Sequence, residues 1–127
     1  MNDLVLDASA LIALLRREPG AERVADLLPL AVIGTVNLAE VVSKFARDGL
    51  PIDGLRDTID GLDLEILPFD ETLAYRAGEL RIATGRQGLS LGDRACLALA
   101  ERLGATAVTA DRAWAGLDVG ITIELVR

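Results

Sequence analysis

Leu4-Val5-Leu6-Asp7-Ala8-Ser9-Ala10 decides the reading of this chain. It is a short apolar run rich in β-formers, then a carboxylate, then at once the helical spacing of Leu11, Ile12, Leu14 and Leu15. A run this short reads as a buried strand rather than a helix, and Ser9 is placed to act as N-cap of the helix that follows. In open α/β sheets ligands sit outside the carboxyl ends of the strands, where Asp7 would stand. Taken alone, Asp7 serves equally well as a turn residue assisting the helix start. Its meaning depends on whether other acids repeat the arrangement.

Working outward, a strand over 4–7 and a helix over 9–17 are followed by the break Pro19-Gly20, a helix over 21–28 ending at Pro29, and a second strand over 30–33. Gly34-Thr35 leads into a helix over 36–47 with the apolar stripe Leu38, Val41, Val42 and Phe45, stopped at Asp48-Gly49. Pro51 suits the first turn of a helix to about residue 62. Residues 64–67 alternate like a marginal strand, and Asp70 caps a helix to about residue 83. The glycine-bearing stretch 84–89 reads as a loop. Ser90 opens a strongly apolar helix over 91–103, which Gly104 closes at the expected C-terminal position. A strand over 105–109, a short helix from Asp111 and a final strand over 121–126 complete the chain. Strands alternating with helices throughout predict one α/β domain over 1–127. It is built on a mostly parallel sheet of about four to five strands, with helices on both faces.

The composition narrows the chemistry. With 127 residues, half of them hydrophobic (51%), the chain is long enough to bury a core. Its longest apolar run near the N-terminus, 10–15, is far too short to span a membrane, and acids rather than basic residues precede it, so a cytoplasmic location is expected. The single Cys96 stands among apolar neighbours and reads as core filler. There is no histidine, which removes imidazole general bases, His-paired nucleophiles and His-ligated zinc or iron. Any catalysis must run on carboxylates, and oxygen-only ligands favour hard cations such as Mg²⁺ or Mn²⁺. A net charge of −7 argues against broad, nonspecific nucleic-acid binding without excluding a local basic patch. Nearly all basic residues are arginine, the better side chain for forked phosphate contacts, and Lys44 is the only lysine.

Three further acids repeat the placement of Asp7. In Val108-Thr109-Ala110-Asp111 a carboxylate again ends an apolar run and precedes a helix. Glu40 lies off the apolar stripe of its helix, one turn before Lys44, where a simple exposed ion pair would account for it. Asp93 follows Ser90 at the spacing of a capping box, yet it shares a helical face with Leu97 and Ala100, and an acid directed there needs a partner. In a parallel sheet Asp7 and Asp111 emerge at one edge, and Glu40 and Asp93 sit in the first turns of helices that start from that edge. Four converging carboxylates repel by several kcal/mol unless protons or a cation compensate. A Mg²⁺ or Mn²⁺ ion that keeps part of its water shell is an economical answer, and such a site suits in-line attack of activated water on a phosphodiester.

The segments Val5-Leu6-Asp7-Ala8-Ser9-Ala10, Asn37-Leu38-Ala39-Glu40, Leu89-Ser90-Leu91-Gly92-Asp93-Arg94-Ala95 and Val108-Thr109-Ala110-Asp111-Arg112-Ala113-Trp114 together resemble PIN-domain ribonucleases. Within them the chain is similar to VapC-type toxins of type II toxin-antitoxin pairs. The resemblance implies a Mg²⁺- or Mn²⁺-dependent endoribonuclease, inhibited by a cognate antitoxin, forming a homodimer and toxin-antitoxin hetero-oligomers. It implies Asp7 and Asp93 as principal metal ligands, Asp111 completing the site, Glu40 holding metal or water, and Ser9 and Thr109 as supporting hydroxyls. Arg81, Arg86, Arg94 and Arg112 flank the loop before Asp93 and the turn after Asp111, and are expected to guide RNA phosphates. Two other readings compete. One is a non-catalytic PIN-like module that binds a protein partner. The other is a phosphotransfer domain using Asp7 as acceptor, though Ser9 stands where dehalogenase-like enzymes carry a second Asp, and a receiver domain's late lysine is missing.

Overall fold

A computed structural model describes residues 3–127; Met1 and Asn2, part of the expected single domain, lie outside the described residues. At its centre is β1 (Leu4–Leu6), flanked by β2 (Ala31–Gly34) and β4 (Thr106–Thr109), with β3 (Glu65–Leu67) and β5 (Ile123–Leu125) at the edges. All four pairings are parallel, in the order β3-β2-β1-β4-β5. The register sets Leu6 level with Ile33 on one side and Val108 on the other.

Both faces of this sheet are covered, which is why its central strands read as unbroken apolar runs. Leu4 and Leu6 point to one face and Val5 to the other, following the two-residue period of a strand. The Leu6 face packs with Ile33 and Val108 against Leu11, Val24, Val41 and Phe45. These come from α1 (Ala8–Arg16), α2 (Ala21–Leu27) and α3 (Thr35–Arg47), and α4 (Ile52–Asp60) closes that layer with Ile59. The Val5 face packs with Val32 and Ala107 against α6 (Leu91–Leu103), which α5 (Glu71–Thr84) and Trp114 cover in turn. Cys96 is buried in this second core, as its apolar neighbours imply. Among the described residues no helix is long and apolar enough to cross a membrane.

From β1 the chain moves outward to β2 and β3, then returns through α5 and α6 to β4 on the other side of β1. The winding therefore reverses between β1 and β4. In an open parallel sheet that reversal opens a crevice at the carboxyl ends of the two strands, because the connections leave in opposite directions. Asp7 follows β1 and Asp111 follows β4 with one residue between.

Candidate active site

Asp7 is the hinge between β1 and α1. Its N–H still joins the sheet, donating to the Val108 carbonyl at 3.0 Å. Its side chain is the N-cap of α1, accepting from the Ala10 N–H at 2.8 Å. The cap thus falls on Asp7 and not on Ser9, because the helix begins at Ala8, directly after the strand. Ser9 lies inside the first turn and does something else: its hydroxyl donates to Asp7 Oδ1 at 2.7 Å and accepts from the Ala110 N–H at 2.9 Å. From the end of β4, Thr109 Oγ1 donates to Asp7 Oδ2 at 2.5 Å and accepts from the Asp111 N–H at 3.0 Å. Two hydroxyls therefore tie the ends of β1 and β4 together through one carboxylate. Asp7 is only 2% exposed, and this burial outweighs its hydrogen bonds and pushes its pKa up to about 6, with the charge of Asp93 adding to the rise.

Glu40 is positioned by two residues that sequence reading left without a role. The buried amide of Asn37, one turn earlier on α3, donates to Glu40 Oε1 at 3.0 Å and to the Gly92 carbonyl at 3.0 Å. Gly92, in the first turn of α6, is where α3 and α6 meet: a Cβ there would lie 2.2 Å from Glu40 Oε1. The available signal was a polar side chain three residues before Glu40, on the same helical face. Burial raises the Glu40 pKa, the Asn37 amide opposes this, and Asp93 reinforces it.

Asp93 and Asp111 both serve as local caps while keeping an oxygen in reserve. Asp93 closes the capping box of α6, its Oδ2 accepting from the Ser90 N–H at 2.9 Å while its own N–H donates to Ser90 Oγ at 3.2 Å. Asp111 Oδ1 accepts from the Ala113 N–H at 2.9 Å and starts a 3₁₀ turn, Arg112–Trp114. Among the described residues the second oxygen of each makes no hydrogen bond. The capping explanation therefore holds for both acids and leaves one oxygen of each open.

Asp7, Glu40, Asp93 and Asp111 line one surface pocket of about 310 Å³ at the β1–β4 crevice. Ser9 lines it as well, together with Glu18, Lys44 and Arg127, which had been given no place there. Arg127 follows β5 and is tethered beside the site, its Nε–H donating to the Ala110 carbonyl at 3.2 Å and its Nη1 to Glu18 Oε1 at 3.3 Å. The four arginines expected to guide phosphates divide. Arg81 and Arg86 are exposed around the end of α5, and Arg112 is exposed beside Asp111. Arg94 corrects the expectation. It is 7% exposed, and its Nη1 donates to the Ala77 carbonyl of α5 at 2.9 Å. A periodicity that assumes one buried helix face places Arg94 outside, but α6 is buried on two sides.

The donor set is all oxygen, the choice of hard divalent cations over zinc or iron. Among the described residues no three acidic, histidine or cysteine side chains form a ready-made chelating group. Burial is the main cause of the upward pKa shifts of Asp7 and Glu40, and the nearby charge of Asp93 adds a smaller contribution to each.

A parallel α/β sheet with an acidic pocket at its topological switch defines a class of fold and site, and comparison with known proteins makes it specific. Residues 4–119 match the PIN domain family, so the chain belongs to that family. Among solved structures it resembles a DNA-bound VapBC complex from Salmonella typhimurium, at 22% identity, with both chains fully covered and a TM-score of 0.75. It also resembles a toxin-antitoxin complex from Klebsiella pneumoniae, at 20% identity over 98% of both chains (TM-score 0.75), and FitAcB from Neisseria gonorrhoeae, at 22% over 97% of both (0.70). Among curated proteins no match was found.

Proposed function

We propose that this protein is a VapC-type toxin, an endoribonuclease dependent on Mg²⁺ or Mn²⁺ and inhibited by a cognate antitoxin in the cytoplasm. The observation that carries the reading is the meeting of four carboxylates from four separate segments in one pocket. Stability alone does not require this, because each of the four has a local capping or hydrogen-bonding role that would work equally well apart. Asp7 and Asp93 would hold the cation, with Asp111 completing its ligand set. When bound, such an ion supplies charge neutralisation at a phosphate and a more acidic water. Ser9 and Thr109 fix both oxygens of Asp7 before any ligand arrives, and Asn37 holds the Glu40 carboxylate over Gly92, ready to orient a water or accept its proton. The similar structure from Klebsiella pneumoniae is a toxin-antitoxin complex, which supports an antitoxin partner for this chain. A basic antitoxin segment laid over the acids would exclude cation and RNA together by mass action.

The test is cleavage of a labelled single-stranded RNA by the purified protein. Activity with Mg²⁺ or Mn²⁺, its loss in EDTA and in Asp7→Asn and Asp93→Asn, and its suppression by the copurified antitoxin are expected. RNA left intact with either metal, while the protein still binds an antitoxin, would identify a non-catalytic binding module instead.

A further inference from the structure

We propose that Lys44 and Arg127 form the cationic half of the acidic pocket and receive the phosphate group of the nucleic-acid strand next to the four carboxylates. This rests on the nuclease reading above and adds the residues that seat the substrate.

Lys44 is the side chain to explain. It stands four residues after Glu40 on α3, the spacing at which Glu and Lys ordinarily pair across one helical turn. Here they do not: among the described residues every ion pair is made by an arginine, and Lys44 takes part in none. The Asn37 amide, itself anchored on the Gly92 carbonyl, holds Glu40 Oε1 at 3.0 Å and turns the carboxylate over Gly92. Asp48, one turn further along, is engaged by Arg16 instead. An ammonium group is thus left in a pocket with five acids and paired with none of them.

Arg127 completes the arrangement from the other side of the sheet. Its Nε and Nη1 are committed to the Ala110 carbonyl, Glu18 and the Pro19 carbonyl, while Nη2 makes no hydrogen bond among the described residues. The guanidinium is therefore held in place one residue from Asp111, with a free edge. A tethered guanidinium loses little freedom on binding, and its unengaged Nη2 can donate to a phosphate oxygen. α3 follows β2, and Arg127 follows β5, so the two cations approach the β1–β4 crevice from opposite sides. A phosphodiester entering between them meets positive charge at its non-bridging oxygens and the carboxylates at its reacting face. In a chain of net charge −7, local cations of this kind admit the phosphate that the overall field repels.

Binding of a fluorescein-labelled single-stranded RNA, followed by anisotropy on an Asp7→Asn background that leaves the RNA intact, tests the assignment. Lys44→Ala and Arg127→Ala should each weaken binding about tenfold and reduce the slope of log affinity against log salt by about 0.7, one phosphate contact on a single strand. Lys44→Arg should restore both. In the otherwise wild-type protein, Lys44→Ala should raise KM more than it lowers kcat, and its melting temperature should respond to Mg²⁺ as wild type does. Affinity and salt slope unchanged in both alanine variants would overturn the assignment while leaving the nuclease reading intact. If the wild type never cleaves RNA, the nuclease reading falls, and the binding series still decides whether these two residues seat a phosphate.

Discussion

Asp7 carries two opposing contributions, and replacing it with Asn separates them. The Asn oxygen can keep the bonds from the Ala10 N–H and the Ser9 hydroxyl, and its amide then faces Thr109, whose hydroxyl can turn to accept. What disappears is a charge that burial disfavours: the folded-state pKa stands near 6 against an ordinary 3.8. Below pH 3.8 the carboxyl is neutral in both states and costs nothing. As the pH rises toward 6 the unfolded chain ionises while the folded one holds its proton, so stability falls. Above 6 the loss is complete, at about 3 kcal/mol. In EDTA at pH 8 the Asp7→Asn protein should therefore be more stable than wild type by up to about 3 kcal/mol, roughly 10 °C in melting temperature for a domain of this size. The gap should close toward zero near pH 4. Saturating Mg²⁺ should close most of that gap, because a ligand at a hundred times its Kd adds about 2.7 kcal/mol to wild type and little to the variant. The assay is thermal unfolding across pH 4–8, in EDTA and across a Mg²⁺ titration at fixed ionic strength. A variant less stable than wild type at pH 8, by an amount independent of pH, would reduce Asp7 to a helix cap.

Asp93→Asn should weaken the capping box by ~0.3 to 1 kcal/mol and abolish most of the Mg²⁺-dependent rise in melting temperature, and unfolding with and without Mg²⁺ measures both. Gly92→Ala should retain the fold, since the group its Cβ meets is the mobile end of Glu40; displacing that carboxylate should cut RNA cleavage at least tenfold, and full activity with normal melting would remove Glu40 from the site. Thr109→Val leaves the Asp111 N–H without its acceptor and takes one donor from Asp7. It should cost ~1 to 3 kcal/mol and move the acidic limb of the pH-activity profile upward, read from kcat against pH. Arg94→Met should stay within ~1 kcal/mol of wild type and leave RNA affinity unchanged, whereas Arg86→Ala and Arg112→Ala should weaken binding and flatten its salt dependence.

The chain's own residues made much of this legible. An apolar run ending in an acid and followed by a helix, at Asp7 and again at Asp111, depends on contacts within a few residues, and such contacts are written locally. The Ser90–Asp93 box and the Gly104 stop of α6 are local in the same way, and the structure contains both. Tertiary structure decided the rest. That β4 lies against β1, putting Thr109 within 2.5 Å of a carboxylate 102 positions earlier, follows from strand order, on which local periodicity is silent. Arg94 flanks the loop before Asp93 in sequence yet is buried, because α5 covers a second face of α6, and helical spacing does not tell how many faces a neighbouring layer will cover. Gly92 reads as an ordinary helix position until α3 brings Glu40 against it. Lys44 reads as the partner of Glu40, but in the structure the Glu40 carboxylate is bonded by Asn37, held by α6, and the ion pair is not made. Pairing rules within a helix are worth only a few tenths of a kcal/mol. A buried amide that must satisfy its own hydrogen bonds is worth more, and Asn37 meets that demand on Glu40 and on the Gly92 carbonyl of α6.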